Sequence, residues 1–65
     1  MITVNGQPRP LREGQTILEL LQALELDPAR VAVELDGAIV KQPQWGQTPL
    51  RPGSQLEIVQ FVGGG

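Results

Sequence analysis

Sixty-five residues make one small domain with no room for a second core, and the chain contains neither Cys nor His. Disulfides and the usual side-chain ligands of zinc, haem and iron–sulfur clusters are therefore excluded, so burial of apolar side chains must stabilise the fold. Seven acidic against five basic residues give a net charge of −2, and the bases Arg9, Arg12, Arg30, Lys41 and Arg51 are scattered, which argues against nucleic acid as a partner.

The opening residues lack the charged and apolar regions of a secretory signal, and no stretch approaches the roughly 20 apolar residues of a membrane span. No membrane association is expected, and the cytoplasm is the expected compartment; the absence of Cys suits a reducing one. The stretch "MITVNGQPRPLR" reads as a hairpin. Ile2 and Val4 alternate with Thr3 and Asn5, the period of a half-buried strand. Asn5-Gly6 supplies a two-residue turn that favours positive φ. The return strand is predicted over Arg9 to Arg12 with Leu11 inward. Pro8 and Pro10 lack a donor N–H, which confines it to a sheet edge.

"EGQTILELLQALELDP" carries a helix. Thr16 and Glu19 stand three apart, the spacing of a capping box. Ile17, Leu20, Leu21 and Leu24 share one helical face, with Leu18 at its margin and Glu19 and Gln22 opposite. Asp27 precedes Pro28 and is pushed out of the α region, so the helix is predicted to end near Leu26. At about ten residues it needs a sheet against which to bury its stripe.

"RVAVELDGAIV" alternates again, with Val31, Val33 and Leu35 on one side and Ala32 and Glu34 on the other. Asp36-Gly37 signals a turn, and Ala38-Ile39-Val40 a short continuation. "KQPQWGQTPLRPGS" contains three prolines and two glycines, so it reads as loop and turns with a brief strand at Thr48 to Leu50. Arg51-Pro52-Gly53-Ser54 suits a turn with Pro second and Gly third. In the last strand, "QLEIVQFV", Leu56 and Ile58 share one face while Glu57, Val59 and Phe61 share the other. The fold class is α+β: a mixed four- to five-stranded sheet with one main helix packed across it, its first and last strands parallel neighbours.

Enzyme signatures are missing. Without His no Ser-His or Cys-His pair can form, and Gly63-Gly64-Gly65 opens no helix and lacks the Lys-Ser/Thr of a phosphate loop. Glu34 and Asp36 could form an acid pair, but a solvated sheet face is the plainer reading. No catalytic residue, bound cofactor or metal is expected, and the chain reads as a non-enzyme.

The tail is the remaining candidate. Fraying is its bland explanation. Against that, the glycines follow the last strand with no polar spacer, and nothing follows them to make them a linker. Val59 and Phe61 also place an apolar patch at the tail's root, where a partner could dock. Three extended residues without side chains span roughly 10 Å, a thread able to enter a channel that any Cβ would block. The α-carboxylate at its tip, with a pKa of about 3.5, is ionised at neutral pH and can attack the α-phosphate of ATP to give an acyl-adenylate.

The Asn-Gly hairpin, "GQTILELL", the "QW" segment, "LRPGSQLEIV" and the terminal Gly-Gly together resemble the thiamine-biosynthesis sulfur carriers, the ThiS family of the ubiquitin-like β-grasp superfamily, along the whole chain. The resemblance implies a β-grasp domain over residues 1–62 and a flexible C-terminal Gly tail over 63–65. It implies that an E1-like adenylating enzyme uses MgATP to activate the Gly65 carboxylate. A cysteine desulfurase relay then supplies sulfur to form a thiocarboxylate, and thiazole synthase takes that sulfur into the thiazole of thiamine. Gly64 and Gly65 match the family's terminal pair, and Gly63 extends the thread. Alternatives are a carrier for molybdopterin or tRNA thiolation, a ubiquitin-like protein modifier, and a plain binding module. The small subunit of molybdopterin synthase differs in carrying a proline pair before its Gly-Gly, which this chain lacks. Trp45 reads as a core cap or a docking anchor. Lys41 reads as a solubilising charge or a conjugation site, and Arg51 as an exposed charge.

Overall fold

The computed structural model describes residues 1–61. Five strands form one sheet: β1 (Ile2–Val4), β2 (Gln7–Arg9), β3 (Val31–Leu35), β4 (Ala38–Val40) and β5 (Gln55–Gln60), in the order β2-β1-β5-β3-β4. β1 and β5 run parallel at the centre, with Val4 beside Leu56, and the other pairings are antiparallel. The parallel pairing agrees with the sequence reading, as does the edge position of the proline-bearing β2. That strand is nevertheless Gln7–Arg9, earlier than predicted. A two-residue turn at Asn5 (φ 50°) and Gly6 (φ 81°) sets Gln7 opposite Val4, leaving no gap before the return.

Helix α1 (Ile17–Ala23) crosses the sheet and buries Ile17, Leu20 and Leu21. The capping box forms as the sequence predicts. The Glu19 amide donates to Thr16 Oγ1 at 3.2 Å, and the Thr16 amide donates to Glu19 Oε1 at 2.9 Å. The helix stops earlier than the proline suggests, because Glu25 adopts φ 59°. The amides of Glu25 and Leu26 then donate to the carbonyls of Gln22 and Leu21, the double closure of a Schellman end that usually employs glycine. Asp27-Pro28 instead starts a short 3₁₀ helix (Pro28–Arg30), its first free amide capped by the Asp27 carboxylate.

The stretch read as loop holds a second 3₁₀ helix, Gln42–Gln47, followed by an isolated bridge between Pro49 and Thr16 in place of the strand predicted at Thr48 to Leu50. Trp45 lies within it, 2% exposed, and its indole N–H donates to the Val40 carbonyl at 2.7 Å. Trp45 is thus a core residue and not a docking anchor. It joins Ile2, Val4, Ile17, Leu20, Leu21, Val31, Val33, Leu50 and Leu56 in one apolar cluster. The turn before β5 has Gly53 at φ 87° and a Ser54 amide donating to the Arg51 carbonyl at 2.9 Å, the type II form that Pro-Gly favours. Among the described residues, no helix is long and apolar enough to cross a membrane.

Candidate functional site

β5 lies between β1 and β3 and leads towards the glycines, so its environment defines the site. Its side chains alternate: Leu56 is buried and Ile58 half-buried against the core, while Glu57, Val59 and Phe61 face outward. Val59 is 59% and Phe61 54% exposed, so both residues chosen from the sequence stand on the open face of the sheet. The ladder with β3 runs past the strand's formal end, since the Phe61 amide donates to the Arg30 carbonyl at 2.7 Å. Phe61 is thereby tied to the sheet. Gly63, Gly64 and Gly65 lie outside the described residues.

The open face has a member that the sequence reading missed. Ile39 on β4 is 75% exposed and shares a row with Glu34 on β3 and Glu57 on β5. Ala32, opposite Val59, fills the next row. These residues line a shallow depression of about 110 Å³. The signal for Ile39 was present in the turn: a two-residue Asp-Gly loop pairs Leu35 with Ala38 and therefore Glu34 with Ile39, on the same face. Glu34 and Glu57 sit directly across from each other, an arrangement that disfavours the free fold slightly. Among the described residues the one ion pair is Arg30–Asp27 at 3.7 Å, with both side chains over half exposed, and it contributes little. Lys41 and Arg51 are exposed and lie in the connection between β4 and β5.

On its other edge β5 is held by side chains. The parallel ladder with β1 covers only Thr3–Val4, because the chain turns at Asn5. The Asn5 amide donates to the Leu56 carbonyl at 2.8 Å. Its carboxamide then brackets Ile58: Oδ1 accepts from the Ile58 amide at 2.7 Å and Nδ2 donates to the Ile58 carbonyl at 3.1 Å. At the strand's start, the Asp36 carboxylate accepts from the Gln55 amide at 2.9 Å while its own amide donates to the Gln55 carbonyl at 2.8 Å. One titration is shifted. Glu19 is held below its usual range, chiefly by the hydrogen bond from the Thr16 backbone amide, with help from the Thr16 hydroxyl and Arg12 and against some desolvation.

The family model described as the ThiS family matches residues 2–65. The chain belongs to the ThiS family. Its fold is the ubiquitin-like β-grasp, and it is similar to the crystal structure of the thiamine biosynthesis protein ThiS of Geobacter metallireducens with a TM-score of 0.79. That match is 34% identical and covers 98% of this chain and 97% of the other. The sulfur carrier protein ThiS of Thermus thermophilus is 37% identical over 65 residues, all of both chains. A thiazole synthase of Magnetococcus marinus is 39% identical over 64 residues, 98% of this chain. The chain spans only 20% of that synthase's length, so a ThiS-like unit is also found as one part of a larger protein.

Proposed function

We propose that this chain is a sulfur carrier of thiamine biosynthesis, acting as a protein co-substrate rather than a catalyst. The observation that carries the reading is the end-to-end match to a sulfur carrier protein, on a domain whose last strand leads from an exposed apolar face to three glycines. An E1-like enzyme adenylates the Gly65 carboxylate with MgATP, releasing pyrophosphate. A persulfide from a cysteine desulfurase relay attacks the acyl-adenylate and displaces AMP; a thiol then reduces the resulting acyl disulfide and frees the thiocarboxylate, and thiazole synthase accepts that sulfur. Gly63 and Gly64 thread the activating enzyme's channel, where a Cβ would collide. Val59 and Phe61, joined by Ile39, form the docking face. The similarity to a thiazole synthase that contains a ThiS-like portion favours that enzyme as the acceptor. No cofactor is held by the chain itself.

The test is the intact mass after incubation with ATP, Mg²⁺, the activating enzyme and a sulfur donor. The expected result is the gain of one sulfur for one oxygen, localised to Gly65. An unchanged mass, with enzymes that modify another carrier, would overturn the reading. Gly64→Leu should abolish adenylation while leaving the fold intact, and a normal rate in that variant would sink the threaded tail.

A further inference from the structure

The two turns that flank β5 were legible in the sequence only as turns, yet Asn5 does more than permit one. A glycine would satisfy φ 50° at least as well. What Asn5 adds is a carboxamide that behaves as the peptide group of a strand residue that is not there. β1 ends at Val4, but β5 continues to Gln60 beside β3. From Ile58 onward, the edge of β5 facing the first hairpin meets no backbone partner among the described residues. The carboxamide fills the first of those vacant positions, accepting from the Ile58 amide and donating to its carbonyl across 53 residues of sequence. The next backbone group on that edge belongs to Gln60, because the antiparallel ladder turns the amides of Val59 and Phe61 towards β3. Ile58 is therefore the last point at which β5 is gripped from both sides.

We propose that Asn5 is a positioning residue for the glycine tail: by standing in for a strand residue at Ile58, it sets the direction in which the chain leaves the sheet at Phe61. This rests on the sulfur-carrier reading. Four residues follow Phe61. Drawn out in an enzyme's channel they reach about 14 Å, so a small change of heading at Phe61 becomes a displacement of an ångström or more at the carboxylate. Misplacement of about 1 Å at a reacting atom can slow a reaction by about a hundredfold. Asn suits the task because it donates and accepts from one short planar group, and because it is among the few non-glycine residues that tolerate a left-handed backbone.

Asn5→Gly keeps the turn and removes the carboxamide, and Ile17→Val serves as a control that lowers stability from within the core without touching the Asn5–Ile58 bonds. Two readouts are needed: amide hydrogen exchange of the whole chain, and steady-state adenylation by the activating enzyme. In Asn5→Gly the amides of Ile58 and Phe61 should exchange about tenfold faster relative to that of Leu21. The kcat of adenylation should fall about tenfold with KM within about twofold, since the docking face is untouched. Ile17→Val should leave both ratios at their wild-type values. Unchanged relative exchange at Phe61 would overturn the proposal whatever the chain's function. So would a wild-type kcat in Asn5→Gly, or an equal fall in the control. If the wild-type chain is not adenylated at all, the sulfur-carrier reading fails, and exchange at Phe61 alone decides whether Asn5 governs the exit.

Discussion

The two hairpin turns share a backbone and differ in one side chain. Asn5-Gly6 and Asp36-Gly37 have φ values of 50° and 81°, and 50° and 87°. Each reaches back to β5 with an oxygen of its side chain. At Asp36 the residue's own amide supplies the donor for the Gln55 carbonyl, so a side chain that only accepts completes the pair. At Asn5 the backbone amide is already engaged by Leu56, and both groups of Ile58 fall to the side chain. The number of donors still required thus decides between two residues that are near equivalents as turn formers.

The sharpest way to break this comparison is to exchange the chemistry. Asn5→Asp sets a carboxylate against the Ile58 carbonyl and should cost about 2 kcal/mol in urea unfolding. Asn5→Gly removes both bonds without adding repulsion and should cost about 1 kcal/mol. Asp36→Asn should stay within about 0.5 kcal/mol, since an amide oxygen can accept from Gln55 as the carboxylate does. If Asp36→Asn costs as much as Asn5→Asp, counting donors does not explain the two sites.

The capping box of α1 gives the smallest effect and a contrast in range, because Thr16 and Glu19 are three residues apart. Folding lowers the Glu19 pKa from 4.5, so its contribution is complete above that value and is lost as pH falls through the lower folded value. As pH falls below 4.5, Glu19→Gln should flatten the fall of the urea midpoint relative to wild type. A fall of undiminished depth would show that the box is unimportant in solution.

These three sites also divide what the sequence disclosed. The capping box, the type II turn at Pro52-Gly53 and the outward placing of Val59 and Phe61 depend on spacing within a few residues, and all were readable. The helix end was misplaced because Glu25 in a left-handed conformation has no marker in its residue type. Trp45 was ambiguous because a lone aromatic between prolines does not reveal which side chains surround it. The glycine tail was legible as composition, and its chemistry came from resemblance to sulfur carriers.

By itself the sequence determined the element order, the edge position of β2, the two tight turns and the face of β5 that carries Val59 and Phe61. Those follow from side-chain periodicity, glycine conformations and the missing proline N–H, which act locally. Only the tertiary structure decided that Asn5 meets Ile58, that Asp36 meets Gln55, and that Glu57 extends the row of Glu34 and Ile39. Each depends on strand order and register across as many as 53 residues, where a carboxamide or carboxylate becomes a backbone partner only because packing of the core brings an unpaired peptide group beside it.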